Sequence, residues 1–151
     1  MRYLLVDRIT ALDPGNEIAG VKNVAMSEDF LEFHFPKNPI MPGIMLLEAL
    51  VQLSGWLEAA SSDFRKWFLV SRILKCGFYG FVLPGDQVEL IVSVGSAPSQ
   101  DLKVYKGTAK VAGKRKLRAE FQGNLVDLET LEEIEEQKRF FQVLTRGNPG
   151  I

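Results

Sequence analysis

Two side chains in this sequence have the type and the setting that acid–base chemistry requires. His34, the only histidine, lies in the segment HFPKNPIMPG, whose three prolines restrict the backbone and would hold the imidazole in a fixed place. A neutral imidazole can accept a proton at physiological pH. Glu48 interrupts a long apolar run fourteen residues later, where a carboxylate is costly to ionise unless it finds a partner. His34 and Glu48 are therefore candidates for a base and an acid.

Each of the two candidates also has a structural interpretation. A lone histidine more often serves packing or hydrogen bonding than catalysis. Glu48 could simply reach solvent from the first turns of a helix, and perturbed acids also occur in structural networks. The residue types by themselves leave both interpretations open.

Other chemistries lack the residues that they need. The sequence contains no P-loop, no GxSxG nucleophile motif and no GxGxxG dinucleotide motif. One histidine and one cysteine, Cys76, are too few for a zinc site of ordinary composition, so we expect no metal site of that kind, although a carboxylate-rich metal site stays open. The 18 basic and 19 acidic residues argue against a protein that coats nucleic acid or an anionic membrane. Seven bases between positions 103 and 118 indicate solvated strand faces or, alternatively, a footprint for an acidic partner.

The size and the cysteine content bound the domain organisation and the location. With 151 residues, 46% of them hydrophobic, the chain can form one core and is too short for two ordinary domains. A single cysteine cannot form an internal disulfide, and no secretory signal pattern opens the chain. We therefore expect a cytoplasmic protein.

The element that would position Glu48 is a long buried helix. The run from Ile44 to Ala60 is apolar nearly all round a helix, which predicts a helix that other structure covers on most sides. Its polar interruptions and its length of about 17 residues argue against a membrane span. Glu48 and Gln52 are four residues apart, which places them one above the other on a single face of the helix.

Beyond this helix the apolar pattern changes to a period of two, which is typical of half-buried strands. One such strand follows the turn Pro84–Asp86, and another covers about residues 116–125. Further strands are predicted at 67–79 and 102–111, with shorter ones near 17–26 and 31–34. A buried helix beside such strands favours an α+β fold in which an antiparallel sheet curls around the helix.

The tail of the chain predicts one more helix, over residues 128–146. The capping-box pattern Thr130-x-x-Glu133 marks its start, and Gly147 and Pro149 mark its end. Its apolar side would dock on the rest of the protein.

The first 57 residues contain four short motifs in order, which are LVDR (5–8), HFP (34–36), PxMPG (39–43) and EAxxQ (48–52). Together with FVLPGDQV at 81–88 and the strands after it, these motifs resemble the β-hydroxyacyl-[acyl-carrier-protein] dehydratases of type II fatty-acid synthesis. That family has the hotdog fold, a curved antiparallel sheet wrapped around one long central helix. The resemblance implies a hotdog domain over residues 1–126, with residues 127–151 as a C-terminal helical extension of the same domain.

The resemblance also implies a reaction, namely the dehydration of (3R)-hydroxyacyl thioesters, on an acyl carrier protein or on coenzyme A, to trans-2-enoyl thioesters without a cofactor. His34 matches the family's catalytic histidine, and Glu48 matches its catalytic carboxylate. Gly43 matches the glycine whose backbone N–H faces the thioester carbonyl, and Gln52 matches a residue that supports the carboxylate. Family members form homodimers whose sites take the histidine and the carboxylate from opposite subunits, and some assemble as trimers of dimers.

Three features depart from the family pattern. Phe33 precedes His34 where the family usually has glycine, residues 77–80 lack the arginines that are common there, and the tail helix extends past the usual end of the domain. Two other functions on the same fold therefore stay open. One is a thioesterase that hydrolyses acyl thioesters, and the other is a non-catalytic acyl-binding subunit.

Overall fold

The computed structural model describes residues 3–148 and 150–151, which form six strands, two α-helices and two short 3-10 turns. The 3-10 turns are Asp29–Leu31 and Leu128–Thr130. The helices are α1 (Gly43–Ser61) and α2 (Ile134–Thr145). The strands are β1 (Arg8–Asp13), β2 (Glu17–Asn23), β3 (Lys66–Phe78), β4 (Gln87–Val94), β5 (Lys103–Val111) and β6 (Lys114–Asp127).

The six strands form one antiparallel sheet in the order β1-β2-β4-β5-β6-β3. Helix α1 packs against β2, β3, β4, β5 and β6, so the sheet curves around it. Alternate side chains of each inner strand point at the helix, as Val88, Leu90 and Val92 of β4 do, and these three are fully buried. This is the hotdog arrangement, and it confirms the α+β fold that the periodicities predicted.

Helix α1 is the centre of the core and extends one residue beyond its predicted range at each end. Pro42 occupies the N-cap position. With 19 residues and a mean hydropathy of 1.2, the helix is long and apolar enough to cross a membrane, contrary to the expectation from the sequence. However, 61% of that stretch is buried inside the protein, as in the core helix of a soluble protein.

The short strand predicted near residues 31–34 is wrong. The chain instead forms the 3-10 turn Asp29–Leu31 and continues through further turns to the start of α1. Leu31 is the one buried residue of this 3-10 turn. Four residues of alternation are too few to distinguish a strand from a turn that buries a single apolar side chain.

The tail helix is present, but it begins at Ile134 rather than at residue 128. The predicted capping box does not form, because the Thr130 hydroxyl donates to the carbonyl oxygen of Asp127 at 2.6 Å. Gly147 follows the end of the helix with a φ of 62°, as a helix-terminating glycine does. Pro149 lies outside the described residues.

Helix α2 docks on one side of the molecule, and β3 forms the other edge of the sheet. α2 packs against β1, and its Phe140 ring lies 5.6 Å from that of Trp56 on α1. Strand β3 has 13 residues and pairs with β6 on one side only. Its exposed apolar side chains are Leu69, Val70, Ile73, Leu74 and Phe78.

A buried carboxylate joins the C-terminal half of α1 to the sheet. Glu58, which is 6% exposed, accepts a hydrogen bond from the hydroxyl of Tyr105. Its Oε1 also lies 3.2 Å from Nζ of Lys103. Burial, followed by the hydrogen bond to Glu58, raises the pKa of Tyr105 well above its usual range.

Candidate active site

His34 lies in the loop between β2 and α1, and the backbone of Ile40 fixes its ring. Nδ1 of His34 lies 2.7 Å from the carbonyl oxygen of Ile40, and the N–H of Ile40 donates back to the carbonyl oxygen of His34 at 2.8 Å. Because a carbonyl oxygen can only accept, Nδ1 carries the hydrogen and the neutral ring has its lone pair on Nε2. Nε2 is therefore the nitrogen that can take up a proton.

The loop that carries His34 is held by backbone hydrogen bonds. Phe35 and Asn38 exchange two of them, at 3.0 and 2.9 Å, and the Phe35 ring stacks on the imidazole with centroids 4.1 Å apart. The N–H of Met41 donates to the carbonyl oxygen of Val82 at 2.9 Å. This bond fastens the loop to the FVLPGDQV segment.

A buried lysine joins the LVDR motif to the start of this loop. Nζ of Lys22 lies 2.6 Å from Oε1 of Glu28 and 3.4 Å from Oδ2 of Asp7, and Lys22 is 4% exposed. Asp7 also accepts the N–H of Asn23 at 2.6 Å. A buried ammonium group needs such partners. Asp7 therefore has a structural role, as an anchor for the segment that leads to His34.

Gln52 holds the carboxylate of Glu48, as the resemblance implies for these two positions. Nε2 of Gln52 donates to Oε1 of Glu48 at 3.0 Å and to the carbonyl oxygen of Tyr3 at 3.0 Å. Oε1 of Gln52 accepts the N–H of Leu5 at 2.9 Å. The two backbone contacts determine which end of the amide faces Glu48, so the carboxyl group meets a donor.

Glu48 is exposed in the single chain, which agrees with the interpretation of a side chain that reaches solvent from the first turns of the helix. Ile44, one turn earlier, is 63% exposed, and Gln52, one turn later, is half-buried. The remaining sides of α1 are covered by the sheet and by α2. Ile44, Glu48 and Gln52 thus form one strip along the accessible side of the central helix.

Gly43 begins α1 and lies beneath an aromatic ring. Its N–H is one of the first-turn donors that have no acceptor inside a helix, and the helix dipole adds positive charge at this end. A Cβ atom at position 43 would lie 2.5 Å from Cε1 of Phe78, so a larger residue would displace the ring. The Phe78 ring occupies the space beside Gly43, so position 43 tolerates only a residue without a Cβ atom unless the ring moves.

The structure places Gly43, Glu48 and Gln52 on one helix and leaves His34 apart from Glu48. Glu48 and Gln52 are bonded, and Gly43 begins the same helix. His34 contacts Ile40 and Phe35 instead. Among the described residues of one chain, no hydrogen bond or ion pair joins the imidazole to the carboxylate of Glu48.

Two of the three departures from the family pattern include exposed aromatic residues, Phe33 and Tyr79. Phe33 is 76% exposed, so its ring packs little against its own chain. In the segment that lacks arginines, the N–H of Tyr79 donates to the carbonyl oxygen of Lys116 at 2.9 Å. The guanidinium of Arg115 lies over the Tyr79 ring, 5.5 Å from its centroid. Cations of the β5–β6 hairpin therefore stand beside that segment.

Metal ligands and reactive thiols do not add to the site. Among residues 3–148 and 150–151, no group of three or more histidine, cysteine, aspartate or glutamate side chains is arranged to hold a metal. Cys76 on β3 is a half-buried free thiol, and burial raises its pKa. A thiol of this kind is a poor nucleophile at neutral pH.

Sequence reasoning missed two residues that shape the site. Ile40 acts through its backbone carbonyl oxygen, a group that every residue has, so its residue type does not indicate this role. Phe78 covers Gly43, and it lies in the segment 77–80, which the sequence singled out only for its lack of arginines. The sequence does not indicate that the end of β3 lies close to the start of α1, so it could not predict the contact between Phe78 and Gly43.

Comparison with known proteins agrees with this architecture. Residues 1–120 match the FabA-like domain. The 3-hydroxyacyl-[acyl-carrier-protein] dehydratase FabZ of Caldanaerobacter subterraneus subsp. tengcongensis is 46% identical over 110 residues, which cover 72% of this chain and 77% of that protein. The enzyme of the same name from Thermoanaerobacter sp. (strain X514) is 42% identical over 119 residues, 78% of this chain and 83% of that protein.

Solved structures share the fold at low identity. The structure of smu.793 from Streptococcus mutans UA159 bound to acetyl CoA superposes with a TM-score of 0.63 at 12% identity, and covers 84% of this chain and 94% of that chain. A likeness at this identity shows the fold alone. The family is shown by the match over residues 1–120 and by the relatives of 42% and 46% identity, so the chain belongs to the FabA-like domain family.

Proposed function

We propose that the protein is a cytoplasmic hydro-lyase that dehydrates (3R)-hydroxyacyl thioesters to trans-2-enoyl thioesters, in fatty-acid biosynthesis or a related acyl pathway. The relatives that are named 3-hydroxyacyl-[acyl-carrier-protein] dehydratase support this reaction class. The observation that carries the proposal is the hydrogen bond from Nδ1 of His34 to the carbonyl oxygen of Ile40. That bond leaves Nε2 as the basic nitrogen, which an elimination requires.

His34 and Glu48 divide the two proton transfers of the reaction. Nε2 of His34 takes the α-proton, and the electrons of that C–H bond form the new double bond as the C–O bond to the 3-hydroxyl breaks. Protonated Glu48 gives its proton to the departing hydroxyl, which leaves as water. Since Gln52 donates to Oε1 of Glu48, Oε2 is the oxygen that can carry the proton.

Gly43 would stabilise the negative charge that develops on the thioester. As the α-proton leaves, negative charge accumulates on the thioester carbonyl oxygen. The N–H of Gly43 and the positive end of α1 would stabilise that charge. The ring of Phe78 above Gly43 excludes water from one side of this position, which strengthens such an interaction.

The site is completed by a second copy of the chain. His34 and Glu48 do not pair within one chain, and the β3 edge carries five exposed apolar side chains that a sheet partner would cover. Pairing of two β3 edges would give a homodimer in which the imidazole of one subunit meets the carboxylate of the other. The exposed Phe33 ring would then lie among the groups that the partner covers.

Mixing two inactive variants tests the shared site. His34→Ala and Glu48→Gln, each inactive alone, are unfolded together and refolded as a mixture. In mixed dimers with shared sites one of the two sites is intact, so the mixture should regain about a quarter of the wild-type rate. Sites within single chains would regain nothing, and that result would refute the shared arrangement.

An acidic carrier protein fits the surface beside the site as the bearer of the thioester. Lys114, Arg115 and Lys116 begin β6, and the latter two contact Tyr79, the residue after Phe78. The cationic hairpin thus stands next to the ring that covers Gly43. A carrier with acidic residues would be attracted there, and its thioester arm would have a short path to the site.

A panel of 3-hydroxyacyl thioesters on carrier protein and on coenzyme A tests the function directly. We expect formation of the conjugated enoyl thioester, with carrier-bound substrate favoured over coenzyme A. Release of free thiol instead would identify a thioesterase. Binding without turnover on every substrate would identify a non-catalytic acyl-binding subunit.

A further inference from the structure

A cavity of about 400 Å³ lies between the N-terminal segment, α1, the start of β3 and the tail of the chain. Its walls are mainly aliphatic and aromatic. No lysine, arginine or histidine is among the described residues that line it. The apolar lining includes Val6, Trp56, Trp67, Leu128, Leu131 and Phe140.

The cavity begins one helical turn beyond Glu48. Gln52, whose amide bonds the carboxylate of Glu48, is itself part of the lining. Glu48, Gln52 and Trp56 follow one another at four-residue spacing on one side of α1, and the first and last are about 12 Å apart along the axis. These three residues define a path along α1. Glu48, the candidate acid, lies at its polar end, and the cavity lies at its apolar end.

The outer wall of the cavity is supplied by the tail. Leu128, Leu131 and Phe140 lie beyond residue 120, where the match to the FabA-like domain ends. Phe140 packs on Trp56, with centroids 5.6 Å apart, and Leu128 is anchored by the bond from its N–H to the carbonyl oxygen of Arg65 at 2.8 Å. This wall is therefore a feature of the chain's own C-terminal segment.

We propose that the cavity binds the distal part of the substrate's acyl chain and that the tail closes it, so that residues 128–140 set the acyl length that the enzyme accepts. The inference rests on the proposed function, because the role of Glu48 places the reacting end of the thioester at the near end of the path. The lining is mostly aliphatic and aromatic, with Glu132 as its one acidic member among the described residues, and such walls suit a hydrocarbon tail. Each methylene removed from water improves binding by about fourfold.

Changing one tail residue should alter chain-length preference without altering the chemistry. Leu131 lines the cavity and is 45% exposed, so that Leu131→Trp can fold while it fills space. We expect kcat/KM for the longest accepted chains to fall by at least about tenfold, while a four-carbon substrate is unaffected. Leu131→Ala should shift the preference towards longer chains.

The matched control is Val143→Trp, which adds the same side chain to α2 outside the cavity, at a position that is 67% exposed. It should keep the wild-type chain-length profile. Equal losses on short and long substrates in Leu131→Trp, or an unchanged profile, would overturn the inference.

Tryptophan fluorescence gives a readout that does not need turnover. The chain has two tryptophans, and both line the cavity. Saturated acyl-coenzyme A, which lacks the 3-hydroxyl, should change the emission of the unmodified protein with a twelve-carbon chain and not with a four-carbon chain. A response without turnover on any thioester would refute the proposed function and support the cavity. Turnover of long chains without a response would refute the cavity assignment alone.

Discussion

Glu48 and Glu58 lie ten residues apart on the same helix, and their surroundings differ in every respect. Glu48 is exposed, and its side-chain hydrogen bond is to the amide of Gln52. Glu58 is 6% exposed and is held by the hydroxyl of Tyr105 and by Lys103. One carboxylate lies on the accessible strip of α1, and the other faces the sheet.

The difference teaches that burial alone does not distinguish the proposed catalytic acid of this helix from a structural one. One of the two environments considered for Glu48, a carboxylate enclosed by the core, is that of Glu58. Glu58 is buried against the sheet, where its Oε1 meets both the Tyr105 hydroxyl and Lys103, so it does not face the accessible side of α1. Glu48 is exposed on the accessible side of α1, where the partner chain of the proposed dimer would cover it.

The largest expected effect is on activity, and the two matched substitutions Glu48→Gln and Glu58→Gln measure it. Glu48→Gln removes the proton donor and should lower kcat by roughly 10²- to 10⁴-fold. Glu58→Gln should leave kcat within about threefold, because its site touches no substrate. Steady-state dehydration assays on a common substrate check both. A comparable loss in the two variants would break the distinction between the two acids.

The free energy of unfolding should depend on Glu58 more than on Glu48, which is the opposite of the order expected for activity. Glu58→Ala leaves the Tyr105 hydroxyl and the Lys103 ammonium without their acceptor, so the free energy of unfolding should fall by about 2–3 kcal/mol. Glu48→Ala should change it by less than about 0.5 kcal/mol, because the side chain is exposed. Urea denaturation at neutral pH measures both values, and a larger loss in Glu48→Ala than in Glu58→Ala would contradict this assignment.

The smallest expected effect is on the free energy of unfolding at alkaline pH. Because the pKa of Tyr105 is raised in the folded state, the unfolded chain releases the phenolic proton first. Stability should therefore fall above about pH 10, by at most about 1.4 kcal/mol per pH unit. Tyr105→Phe removes this titration, so its free energy of unfolding should fall less steeply over the same range. Parallel curves for the two proteins would show that Tyr105 does not contribute.

Long periodic segments could be predicted from the sequence, and interrupted ones could not. Helix α1 and strands β3 to β6 were predicted to within about two residues, because their patterns extend over many residues. Strand β1 was not predicted, since a register shift between Ile9 and Ala11 interrupts its alternation. The tail helix starts late because Leu128 is buried and bonded to Arg65, which holds the preceding residues in a 3-10 turn.

The candidate site was predictable only in its residue types. His34, Gly43, Glu48 and Gln52 were found through motifs, and the Glu48–Gln52 bond followed from helical spacing. The tautomer of His34 depends on a carbonyl oxygen, which every residue has. The exposure of Glu48 depends on which side of α1 the sheet leaves uncovered, and spacing within one helix does not determine that.

The two edges of the sheet differ in a way that limits how many chains can add to it. Strand β1 has six residues, a register shift, and α2 packed against it, all of which discourage a further strand. Strand β3 is twice as long and uncovered. A sheet that is blocked on one side and available on the other accepts a single neighbour, and two such sheets that join by their available sides have no end left to extend. The proposed pairing of two β3 edges would therefore be self-terminating, and it would give closed pairs rather than fibres.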